Sequence, residues 1–151
     1  MTIENLKKIC DGCSLDVAKM AMSREHGYAG LCNIASFMFA RRIMDATNEE
    51  AHPYLFWRRH VACLCKNLVI DMTPQQFGEC KNFIIEEKND YIYWLCGKLY
   101  ERGFFALVTE WDVAEESGKV IKLNEDNQRD YLPEWQIYDT AKRKPTALAV
   151  G

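Results

Sequence analysis

RRHVACLCKNLVIDMTPQQFG, residues 58–78, sets a histidine at the head of one short apolar run and an aspartate near the end of the next. The runs are HVACLC (60–65) and LVIDM (68–72), separated by Lys66-Asn67. That length and composition predict a β-hairpin closed by a two-residue loop. With such a loop Cys65 faces Leu68, Ala62 faces Asp71 and His60 faces Thr73. Side chains alternate along a strand, and directly paired residues share a face. One face therefore carries His60, Ala62, Leu64, Val69, Asp71 and Thr73. The other carries Val61, Cys63, Cys65, Leu68, Ile70 and Met72, which are uniformly apolar. His60 and Asp71 become diagonal neighbours with backbones about 7–8 Å apart, within reach of an imidazole and a carboxylate leaning together. A one-residue slip would put them on opposite faces. The apolar second face favours the even loop.

Asp71 closes an apolar run, and a buried carboxylate is costly unless it is paired. A ring N–H of His60 is the natural donor, and the pairing would orient the ring and stabilise its protonated form. Alone, such a pair serves as well for structure as for chemistry. It becomes reactive when a nucleophile stands beside it. No serine sits in a G-x-S-x-G elbow, which disfavours an α/β-hydrolase. The best nucleophile is Cys32. It follows GYAGL (27–31) and opens the helix predicted over LCNIASFMFARRIMDAT (31–47). A helix start gathers positive partial charge and unpaired backbone N–H groups, which favour an anionic sulfur. A neighbouring imidazolium adds to that. The same N–H groups, that of Cys32 included, can form part of an oxyanion hole. Gly27 and Gly30 let the backbone approach a substrate closely, so Gly30 is a candidate for lining the site. Gln76 would brace the turn after Asp71 or line the site.

A cysteine at a helix start, a histidine opening a strand and an aspartate closing the next resemble the papain-like and transglutaminase-like cysteine hydrolases. The stretches that carry the likeness are GLCNIASFMFARRI for the cysteine helix and HVACLCKNLVIDMTPQQF for the hairpin. The second is similar to the I-D-x-T-x-x-Q-F hairpin of transglutaminase-core relatives, among them bacterial effector and toxin deamidases that act on glutamine. The resemblance covers about residues 26–78. It departs from the pattern at Val61-Ala62, where an aromatic residue commonly follows the histidine, and in having no identifiable oxyanion-hole side chain. It implies an α+β, papain-like fold: a central buried cysteine-bearing helix packed on an antiparallel sheet. It implies that Cys32 attacks an amide carbonyl and forms a thioester, that His60 moves the proton, and that Asp71 orients His60. The substrate would be an amide of a protein, with glutamine deamidation favoured. A cysteine peptidase or a peptidoglycan amidase of the same fold stays open, as does a non-enzymatic adaptor with a structural Cys–His pair. No cofactor and no metal are expected.

The bulk numbers suit this reading. The chain has 151 residues, of which 48% are apolar and 27% charged, the balance of one globular domain. A net charge of −3 with a pI near 5.6 disfavours nucleic acid or an anionic membrane as the main partner. No apolar run approaches the roughly 20 residues of a membrane span. The start, MTIENLKKICDGC, lacks a basic segment followed by an apolar core, so synthesis in the cytoplasm without a secretory signal is expected, with delivery by a specialised route left open. Seven cysteines in such a chain read as reduced thiols. Cys10, Cys13, Cys63 and Cys65 could be imagined around zinc. The second pair, however, is C-x-C within a strand and points into the apolar face.

Residues 1–139 are expected to form one catalytic domain and 140–151 a loose tail. A helix is predicted over 15–25 with Ser14 as its N-cap. Helix 31–47 is apolar nearly all round and should lie at the centre of the domain. Residues 48–53 read as a loop and 73–78 as a turn. Residues 90–103 read as a helix ending at Gly103, and 104–114 and 119–124 as strands. His26 and His52 lack an orienting acid at strand spacing and are weaker bases than His60.

Overall fold

A computed structural model describes residues 1–57, 59–101 and 121–123. The chain is α+β. Among the described residues, helices α1 (Ile3–Met22), α2 (Cys32–Ala46) and α3 (Lys88–Glu101) surround strands β1 (His52–Phe56), β2 (His60–Cys65), β3 (Leu68–Asp71), β4 (Ile84–Glu87) and the two-residue β5 (Ile121–Lys122). The sheet order is β4-β3-β2-β1-β5, and every neighbouring pair is antiparallel.

The β2–β3 hairpin has the predicted register, with Cys63 opposite Ile70, Leu64 opposite Val69 and Cys65 opposite Leu68. Lys66 takes φ 55°, the positive φ that a two-residue hairpin loop requires. The register divides the sheet into two apolar faces. Cys63, Cys65, Ile70 and Met72 pack with Leu6, Val17, Phe39 and Ile43 of α1 and α2. On the opposite face Phe56, Ala62, Val69 and Ile84 pack with Tyr91, Ile92 and Leu95 of α3. The architecture is therefore three layers: α1 and α2, the sheet, and α3.

The α1 helix starts a full three turns before the predicted 15–25. The Thr2 side chain caps it by accepting from the Asn5 N–H at 3.1 Å. Leu6, Cys10, Cys13, Val17 and Ala21 recur at three- and four-residue steps and form its buried stripe. Ser14 is not an N-cap. It lies mid-helix and donates to the Asp11 carbonyl at 2.9 Å, a local bond that a serine makes as readily inside a helix. The α2 helix matches its predicted span but is buried along one side only. Phe39 and Ile43 are sealed, whereas Ile34 and Met44 are each 42% exposed. Strand β1 begins at His52, inside the segment read as a loop, and pairs along β2 from His52–Leu64 to Phe56–His60. Strand β4 also escaped the sequence reading. The α3 helix spans 88–101 against the predicted 90–103. The predicted strand 104–114 and the tail 140–151 lie outside the described residues.

Candidate active site

Two chain reversals bring the predicted residues together. Cys32 is the first residue of α2 and His60 the first of β2. The helix lies on one face of the sheet and the histidine side chain belongs to the other, so they meet at the end of the sheet. The approach to Cys32 is a run of turns in which Gly27 takes φ 60° and Gly30 φ 75°, a region open to glycine at no steric cost. Gly30 is buried two residues before the cysteine. Leu31 provides no side-chain cap to α2, so residue 31 sets no competing acceptor against the positive helix end.

His60 Nε2 lies 2.9 Å from Asp71 Oδ2. A hydrogen bond also joins His60 to the Cys32 side chain, and with Nε2 engaged by Asp71 the ring offers Nδ1 to the sulfur. The imidazole thus stands between thiol and carboxylate. Cys32 and His60 are each 1% exposed and Asp71 is fully buried. Phe77 packs edge-on against the His60 ring with centroids 4.8 Å apart.

Asp71 accepts from more partners than His60. Tyr91 of α3 donates its hydroxyl to the same oxygen, Oδ2, at 2.7 Å. The Thr73 backbone N–H donates to Oδ1 at 2.8 Å, and the Thr73 hydroxyl lies 3.4 Å from it. Burial pushes the carboxyl towards its neutral form. The His60 charge and bond, the Thr73 N–H and the Tyr91 hydroxyl outweigh it and hold Asp71 below its usual range. For His60, burial favours the neutral ring. The Asp71 and Cys32 charges and bonds outweigh it and hold the proton up to about 10. Tyr91 is raised well above an ordinary phenol by burial and then by the Asp71 charge, so it remains a donor.

Gln76 braces the site. Its Nε2 donates to the Tyr28 carbonyl at 2.7 Å, and its Oε1 lies 3.4 Å from the Thr73 hydroxyl. It ties the turn after Asp71 to the loop that delivers Cys32. The Thr73 hydroxyl carries one hydrogen, so it serves either Asp71 or Gln76 at a given moment.

The remaining candidates stand apart. His26 and His52 sit near Glu25 and Glu50, each at 3.8 Å, with acids that are largely exposed. Cys10, Cys13, Cys63 and Cys65 lie in the α1–α2 core. Burial pushes Cys10 up to about 12 and Cys13 up to about 11, and it raises Cys63 and Cys65 as well, as expected of inert core thiols. Among the described residues no group of three or more His, Cys, Asp or Glu side chains is arranged to hold a metal, and no helix is long and apolar enough to cross a membrane.

Sequence reasoning missed two partners of Asp71. Thr73 was legible in principle, since it lies two residues on and on the same face. Tyr91 carries no local signal, because its role depends on where α3 docks. Comparison with protein-family models, with curated proteins and with solved structures found no match.

Proposed function

We propose that the protein is a cysteine-dependent amide hydrolase of papain-like type with a Cys32–His60–Asp71 triad. The observation that carries this reading is the position of His60, bonded through Nε2 to Asp71 and hydrogen-bonded as well to the Cys32 side chain. Asp71 fixes the ring and its tautomer, and the imidazolium balances an anionic sulfur. Cys32 Sγ attacks the amide carbon, and the carbonyl π electrons move to oxygen. The Cys32 backbone N–H at the start of α2 supports that oxyanion. As the oxyanion collapses, the C–N bond breaks and His60 gives its proton to the departing nitrogen, leaving a thioester. His60, now neutral, takes a proton from water as the water attacks. The tetrahedral intermediate collapses by breaking the C–S bond, which releases the carboxylic acid and restores the Cys32 thiolate beside a protonated His60.

Within this class the favoured substrate is a protein glutamine side chain, on the likeness of the hairpin to effector deamidases. Peptide-bond cleavage and peptidoglycan amide hydrolysis use the same steps. The test is to incubate the protein with glutamine-rich polypeptides and hydroxylamine and to read intact masses. A thioester partitions to a hydroxamate on glutamine, and without hydroxylamine each site gains about one mass unit as NH₂ becomes OH. A cut chain means peptidase. Products that form equally with Cys32→Ala exclude the mechanism.

A second reading has an observation of its own. The three side chains are almost wholly buried, as in a polar network that serves only to fix a core. That adaptor reading predicts a Cys32 no more reactive than the core thiols.

A further inference from the structure

We infer that Tyr91 is a positioning residue of this site, one that limits how tightly Asp71 grips His60 by donating to the same carboxylate oxygen. The inference rests on the hydrolase reading for its purpose, and on geometry for its substance. Tyr91 Oη lies 2.7 Å and His60 Nε2 2.9 Å from Asp71 Oδ2, so two donors share one oxygen while Thr73 occupies the other. The phenol is not free to swing away. Its ring is fully buried, edge-on to Phe56 with centroids 5.2 Å apart and tilted against Trp94 at 5.6 Å.

The consequence follows from the two halves of the reaction. Acyl transfer to Cys32 needs a protonated His60, whereas hydrolysis of the thioester needs a neutral one. An acid–base group works best when its proton affinity lies near the working pH. A buried carboxylate with His60 as its sole charged partner drives the imidazole far towards the cation. A second donor on Oδ2 draws off part of that negative charge and moderates the effect. The groups acting on His60 are Asp71 from β3 and Cys32 from α2, with Tyr91 of α3 acting through Asp71. Strand β1 adds Tyr54 to this face beside Ala62. The charged Glu86 and Lys122 of the outer strands are exposed.

The test is a titration of the His60 ring by NMR in the intact chain, which needs no substrate. Tyr91→Phe removes the competing donor and should raise the midpoint by about one pH unit, tenfold in proton affinity. A 3-fluorotyrosine placed at position 91 keeps the shape, is a stronger donor, and should lower the midpoint. A residue that only fills space does not give shifts of opposite sign. The fluorinated side chain decides the matter if Tyr91→Phe does not fold. A midpoint unmoved by the fluorine, or moved in the same direction by both changes, overturns the inference. A parent protein whose Cys32 shows no excess reactivity removes the hydrolase reading, yet leaves the opposite shifts as evidence for Tyr91. A reactive Cys32 with no shifts does the reverse.

Discussion

Asp71→Asn keeps the shape of the side chain at the centre of the site and removes its charge. The amide oxygen can still accept from the Thr73 N–H, which lies 2.8 Å from Oδ1. The amide nitrogen then meets two groups that were donating, His60 Nε2 and the Tyr91 hydroxyl. To avoid donor facing donor, His60 must give up the Nε2 proton and carry its hydrogen on Nδ1, towards Cys32. That is the wrong tautomer for accepting the thiol proton. Removing one partner of a buried ion pair costs roughly 3–5 kcal/mol. At roughly 2–4 °C per kcal/mol for a chain of this size, the melting temperature falls by roughly 6–20 °C. The loss depends on pH. His60 keeps its proton up to about 10 when folded, against 6.5 as the ordinary value. Its contribution is complete below about 6.5 and fades as the pH rises through about 10. Asp71 acts at the other end. Held below its ordinary 3.8, it stabilises above that value and ceases to as the pH falls through its folded-state pKa. Calorimetry of parent and variant across pH reads the difference directly. The gap should be widest near pH 6.5 and close towards pH 10. A variant melting within about 2 °C of the parent, or a gap constant into the alkaline range, refutes a charged His60–Asp71 pair.

Other outcomes follow from the same contacts. Gln76→Ala cuts the brace to the Tyr28 carbonyl and leaves buried polar groups unpaired. It should cost about 1–3 kcal/mol by denaturant unfolding and slow Cys32 alkylation, and an unchanged rate would mean that the brace is not positional. Phe39→Ala opens a cavity in the α1–α2–sheet core, where Phe39 is fully buried. It should cost about 3–5 kcal/mol without moving the His60 titration, and a much smaller loss would contradict that packing. Cys10, Cys13 and Cys63, raised by burial, should resist alkylation near neutral pH until the chain is unfolded. Early labelling of any of them would contradict the core described above.

The legible parts of the fold were those written in local alternation. The β2–β3 register followed from one apolar face and a two-residue loop, and with it the meeting of His60 and Asp71. Helix α2 was legible from its apolar content, but that content overstated its burial, because Ile34 and Met44 lie on the solvent side. The first turns of α1 were hidden by Ser14, which has the chemistry of a cap but lies mid-helix. Strand β1 was hidden by Pro53, which stands in the strand as a partner of Cys63, and by the acidic run before it. The contact between Cys32 and His60 was inferred from chemistry and resemblance, since nothing local fixes how a helix start meets the end of a sheet. Tyr91 shows the limit most plainly. Its hydroxyl reaches Asp71 only because α3 packs on the face that carries the pair.

The central claim is that His60 makes Cys32 reactive in spite of its burial. Competitive labelling of the seven cysteines with limiting iodoacetamide near neutral pH, read by peptide mass spectrometry, tests it. Exposure alone ranks Cys80 first, since it is the exposed thiol, and puts Cys32, at 1% exposure, with the core. The triad ranks Cys32 first and predicts that His60→Ala returns it to the rate of its buried neighbours. Labelling that simply follows exposure, in parent and variant alike, would contradict the account.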